Sequence, residues 1–192
     1  MCRPIALFVA LISFLMPLAA LAQTTPAAKP PVAKPALVAA AQEIGIAVGD
    51  SPRLQGKSMG GKAFNLVSLK GKVVMLMFWS TDCAVCRDKM PELRENYQGW
   101  AGKPFELVLV SVDKRMKEVD DYEAVINRMV PLKQRFVQMW AGEGGYSDSL
   151  GTTQLSRGQL PMTYLLDKNG KVAAKFVGRI PAEAWDQIAE LL

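Results

Sequence analysis

Cys83 and Cys86 stand three residues apart in Trp79-Ser80-Thr81-Asp82-Cys83-Ala84-Val85-Cys86, a short polar turn between an apolar run and a helical pattern. Two thiols at that spacing at the start of a helix can open and close a small disulfide. The unpaired N–H groups and dipole of the first helical turn stabilise a thiolate on the first cysteine. A lowered thiol pKa supplies a nucleophile near neutral pH, and the second thiol can attack the mixed disulfide and release the partner. The same spacing also fits half a zinc site or a purely structural disulfide. Zinc would need about two further ligands, and the chain has no histidine and only three cysteines, so carboxylates would have to serve. A structural disulfide closing so short a loop adds little stability.

The lack of histidine excludes more than zinc. It removes histidine-based triads and haem attachment at C-x-x-C-H, leaving thiol, carboxylate and backbone chemistry. Of the 192 residues, half are hydrophobic and 21% charged, with 15 Gly and 12 Pro, which excludes a disordered, collagen-like or disulfide-dense chain. The length suits one domain with its own core plus appendages. A net charge of +5 without any basic cluster makes nucleic acid an unexpected partner.

The appendages lie at the N-terminus. Residues 1–22 combine Arg3, an apolar run from Ile5 to Met16, Pro17 and the small-residue end Ala20-Leu21-Ala22, the pattern of a signal peptide cut after Ala22. The alternative is an uncleaved membrane anchor, and either places the domain outside the cytoplasm, in the periplasm or cell envelope. An uncleaved signal would be the only membrane attachment. Residues 23–47 are rich in Pro and Ala and read as a solvated tether, so the folded domain is expected over 48–192.

Within that domain the periods alternate. Val73 to Trp79 is an unbroken apolar run, as for a central strand covered on both faces, and Cys83 to Tyr97 is helical. Phe105 to Val112 reads as a second buried strand, and Val119 to Val130 as a helix stopped by Pro131. Phe136 to Trp140 adds a strand and Ser149 to Leu155 a short helix. Met162–Leu166 and Val172–Val177 flank the hairpin turn Asp167-Lys168-Asn169-Gly170, and a last amphipathic helix starts near Pro181. The order predicts an α/β fold with a mixed central sheet and helices on both faces.

Gly71-Lys72-Val73-Val74, Phe78-Trp79-Ser80, the cysteine pair, Met90-Pro91-Glu92-Leu93 and Leu160-Pro161-Met162-Thr163-Tyr164 with Asn169-Gly170 together resemble the TlpA/ResA-like branch of the thioredoxin superfamily, over about residues 48–192. The resemblance implies a thioredoxin fold and envelope thiol–disulfide oxidoreductase activity with no cofactor beyond a redox-active Cys83–Cys86 disulfide. It makes Cys83 the nucleophile and Cys86 the resolving thiol. It further implies a cis Pro161 that presents the backbone beside Leu160 to an extended substrate; Trp79 matches the other tryptophan of the thioredoxin motif and is a candidate for the substrate side, with a core aromatic as the alternative. The implied partners are proteins with oxidised or reduced cysteine pairs and a membrane thiol donor or acceptor. Reduction of substrate disulfides is the expected direction.

Several positions depart from the pattern. Asp82 stands where thioredoxins usually carry Trp, and its negative charge should raise the Cys83 pKa. The buried acid of thioredoxin falls at Met77, and the glutamate of ResA-like proteins at Lys89, so Asp82 and Lys89 are expected to modulate the pair. Arg157 and Tyr146 are candidates to face a partner near the disulfide. Two other functions compete. A peroxidase of the peroxiredoxin type would want Pro and Thr where Leu76 and Ser80 stand, and a Cu(I)-binding thioredoxin-like protein would lack its usual histidine ligand.

Overall fold

The computed structural model describes residues 45–192. The expected signal peptide at 1–22 and all of the tether except residues 45–47 lie outside the described residues.

Among the described residues, β1 (Leu54–Lys57) and β2 (Ala63–Asn65) precede β3 (Val73–Trp79), α1 (Ala84–Gly99), β4 (Phe105–Ser111), α2 (Met116–Met129) and β5 (Val137–Trp140). They are followed by β6 (Ser147–Asp148), β7 (Met162–Leu166), β8 (Val172–Val177) and α3 (Glu183–Leu191). The main sheet has the order β5-β4-β3-β7-β8. β3, β4 and β5 run parallel, whereas β7 and β8 pair antiparallel. The parallel pairs need helical crossovers, which α1 and α2 supply, and the tight Asp167–Gly170 turn allows the hairpin.

β3 is central, between β4 and β7, and all seven of its residues are buried. That burial on both faces is why its sequence is continuously apolar rather than alternating. Cys86, Met90 and Leu93 form the buried stripe of α1. α1 also meets α3, with Trp100 and Trp185 ring centroids 5.7 Å apart.

Three differences from expectation have physical causes. β1, β2 and β6 form a small antiparallel sheet that is short and largely polar, so it lacks an alternating signature. α2 begins at Met116 rather than Val119, because Lys117 and Glu118 extend it through polar positions ahead of the apolar stripe. The short helix expected over Ser149–Leu155 is a single 3-10 turn, Thr152–Gln154, followed by another at Arg157–Gln159. At the domain's leading edge, Ile46 packs against the core, and a side chain on Gly45 would collide with the Tyr164 hydroxyl.

Candidate active site

β3 ends at Trp79 and α1 begins at Ala84, so the four residues between them form the turn that carries the cysteines. Cys83 is the N-cap of α1, its Sγ accepting the Cys86 N–H at 3.2 Å. The pair is closed as a disulfide, with Cα atoms 5.2 Å apart. The two sulfurs differ in access. Cys83 is half-buried, whereas Cys86 is sealed in the core beneath it. A partner can therefore reach Cys83, and only Cys83 can reach Cys86.

The turn is held from the neighbouring strand. β4 runs parallel to β3, so both chains leave the sheet at the same end, where sites of open α/β sheets collect. Asp113, two residues past β4 and nearly buried, accepts the Thr81 N–H at 3.0 Å and the Thr81 hydroxyl at 2.8 Å. Its other oxygen takes the Ser111 hydroxyl at 2.5 Å, and the Asp113 carbonyl accepts Trp140 Nε1 at 2.8 Å. A carboxylate with this many donors is firmly fixed, and through Thr81 it fixes the backbone ahead of Cys83.

A second tie comes from the strand β7 side. The Leu160–Pro161 bond is cis, and the Leu160 N–H donates to the Arg157 carbonyl at 3.2 Å. Arg157 forms an ion pair with Asp82, which also accepts the Ser80 hydroxyl at 2.5 Å. The residue just before Cys83 is thereby joined to the turn just before Pro161. Between the two loops and the start of α2 lies a cavity of about 490 Å³, lined by Asp82, Asp113, Lys114, Arg115, Arg157 and Leu160 among others. Arg115 also bonds Glu118, and that bond holds the Glu118 carboxyl below its ordinary range although the charge of Asp82 opposes it.

The structure thus brings Cys83, Cys86, Asp82 and Leu160 together at one end of the sheet, with Pro161 next in the chain. Two expected site residues fall elsewhere. Trp79 is 0% exposed, packed on Tyr122 with ring centroids 4.9 Å apart. It supports the turn from below, and its place at the end of a doubly covered strand leaves it no open face. Lys89 is only 15% exposed and bonds Glu92 at 2.7 Å while lying over the Trp185 ring. Although partial burial works against it, bonds from Lys89 and Trp185 keep the Glu92 carboxyl below its usual range. The lysine charge is therefore compensated at the α1–α3 contact rather than directed at the cysteines. Tyr146 also departs from expectation, since its hydroxyl bonds Thr152 at 3.1 Å and its ring packs against the core.

Asp113 and Thr81 are site residues that the sequence motifs do not single out. The signal available for them was Ser111-Val112-Asp113 at the end of the second buried strand, once that strand is paired parallel to the one leading into Cys83.

Residues 49–179 match the AhpC/TSA family. A thiol-disulfide oxidoreductase ResA of Bacillus cereus is 31% identical over 129 residues, covering 67% of this chain and 68% of that protein. The thioredoxin-like protein YneN of Bacillus subtilis is 26% identical over 153 residues, 78% of this chain and 83% of the relative. Among solved structures, a Chlorobium tepidum protein assigned as the thiol:disulfide interchange protein DsbE superposes with a TM-score of 0.60 at 25% identity, covering 76% of this chain and 96% of that one.

Proposed function

Since this chain belongs to the AhpC/TSA family and is a ResA-like thiol-disulfide oxidoreductase of thioredoxin-like fold, we propose that it reduces protein disulfides in the cell envelope, with Cys83 attacking and Cys86 resolving. The observation that carries this division of labour is the unequal burial of the two sulfurs.

In the reduced protein the Cys83 thiolate attacks one sulfur of a substrate disulfide. A mixed disulfide forms and the other substrate sulfur leaves as a thiolate, which takes up a proton. Cys86 then loses its proton and attacks Cys83 Sγ, closing the intramolecular disulfide and expelling the second substrate thiol. Two electrons pass from the protein to the substrate. The redox group is the cysteine pair itself, so no separate cofactor takes part. A dithiol donor must restore the reduced state, and a membrane thiol protein fits that role.

The asymmetry of the site supports the reducing direction. Asp82 places a negative charge next to Cys83, only partly offset by its solvent-exposed partner Arg157, and that charge disfavours the thiolate and with it the dithiol form. Leu160 and the cis Pro161 would present their backbone to an extended substrate, the Leu160 N–H being already bonded within the chain. Residues 1–22 would direct export, and the tether would separate the domain from the membrane. Leu76, buried in mid-strand, and Ser80, bonded to Asp82, fill the positions that a peroxidatic site would want as Pro and Thr.

Equilibration with glutathione tests the direction. The potential should lie nearer the roughly −270 mV of thioredoxin than the roughly −120 mV of a strong oxidant. A value near the latter would reverse the proposed flow. Export is tested by N-terminal sequencing of the envelope fraction, where the mature chain should start at Gln23.

A further inference from the structure

Asp82 joins Arg157, and the exposures of the two partners are unequal. The Arg157 side chain is 78% exposed and that of Asp82 39%. The same inequality holds for the second pair at the cavity, Arg115 at 77% against Glu118 at 33%. The third carboxylate, Asp113, is nearly buried and occupied by Thr81 and Ser111. Lys114, the third cation, is exposed. Three positive and three negative groups therefore line this cavity; Asp113 is buried, and Asp82 and Glu118, less exposed than the arginines, are each engaged by one. The cations, about twice as exposed as the carboxylates they bind, are what a partner meets first.

We propose that Arg157 is a specificity-determining residue of this enzyme, selecting substrate segments that carry a carboxylate beside the target cysteine. The position of Arg157 makes the selection act on the reacting chain. Asp82 directly precedes Cys83, and its ion pair ties the guanidinium to the residue next to the cysteine that a partner must reach. Only one of the five guanidinium N–H donors is needed for Asp82, so a substrate carboxylate can bond Arg157 without displacing its partner. Lys114 adds attraction across the cavity mouth. A lysine at the same substrate position would instead face Arg157, Arg115 and Lys114.

This inference rests on Cys83 being the attacking thiol, and its test separates the two. Two peptide disulfides of identical sequence, except for Glu or Lys next to the target cysteine, are reduced by the dithiol form of the full chain at low salt. The Glu peptide should react about three- to fivefold faster, the range of one solvent-exposed ion pair. The preference should shrink at about 0.5 M salt, because exposed charges are screened. Arg157→Gln should lose most of it, Arg157→Lys should retain part, and Asp82→Asn should enlarge it. A residue that merely tied the two loops together would slow both peptides alike when replaced. Equal rates in the native protein, a preference for Lys, or an unchanged ratio in Arg157→Gln would overturn the proposal. Cys83→Ala reads the other claim, since retained exchange there would refute the attacking thiol, while the Glu-to-Lys ratio of the native protein still decides the recognition.

Discussion

The Asp113 carboxylate accepts both the backbone N–H and the hydroxyl of Thr81, two residues ahead of Cys83. This single side chain fastens the redox turn at the end of β3 to the end of β4. Asp113→Asn would turn one amide N–H₂ toward donors that need an acceptor. Leaving such buried groups unpaired costs about 1–3 kcal/mol, so the variant should melt lower and exchange disulfides more slowly per folded molecule. Thermal unfolding and insulin reduction measure the two effects. Wild-type values in both would show that Thr81 and Ser111 hold the turn without it.

Trp79 provides a separate test of what lies beneath the disulfide. Trp79→Ala should cost about 3–5 kcal/mol, as for other large buried aromatics. Trp79→Phe should keep the same KM for a protein disulfide once folded. A raised KM in Trp79→Phe with unchanged stability would return this residue to the substrate surface.

Charge around Cys83 sets a third expectation. Asp82→Asn should lower the pH midpoint of Cys83 alkylation and raise the reduction potential, because the thiolate then loses an adjacent negative charge. Arg157→Gln should move both the opposite way by leaving Asp82 uncompensated. At about 30 mV per 1.4 kcal/mol, a shift of about 15 mV is readable by glutathione equilibration. Lys89→Glu should change the potential less than either, since that lysine is compensated by Glu92. Alkylation profiles that coincide in Asp82→Asn and the native protein would reduce Asp82 to a spectator.

The central strands, the cysteine turn and the hairpin before α3 were legible because each has a strong local cause. Unbroken apolar runs mark doubly covered strands, and Asp167-Lys168-Asn169-Gly170 demands a turn. The departures were non-local. Nothing in Leu54-Gln55-Gly56-Lys57 announces pairing with Ser147 and Asp148, which lie far along the chain. Motif position alone points to Trp79 and Lys89, whereas their surroundings come from Tyr122 and Trp185, which only the folded chain brings near. Asp82 was legible as an anion beside a thiol, but its partner Arg157 lies across the fold.

Glu123 gives the fold a pH-dependent stability. Burial raises its carboxyl pKa, against the opposing effects of Arg94, the Gln138 hydrogen bond at 3.0 Å and Arg135. The folded state thus holds this proton more tightly than the unfolded chain. That contribution is fully present below the ordinary glutamate pKa and is lost as pH rises through the elevated folded value. Glu123→Gln keeps an acceptor for Gln138 and removes the charge. Its melting temperature should match that of the native protein at a pH of about 4, near the ordinary glutamate pKa, and exceed it increasingly above that. A difference independent of pH would exclude ionisation of Glu123 as the cause.

The central claim is that an accessible Cys83 attacks and a buried Cys86 resolves, and single-cysteine trapping tests it most directly. Reduced Cys86→Ala, offered an oxidised protein substrate, should accumulate a mixed disulfide through Cys83 that dithiothreitol releases. Cys83→Ala should trap nothing and reduce no insulin, its remaining thiol being sealed in the core. Equal trapping by the two variants, or trapping by Cys83→Ala alone, would contradict the account.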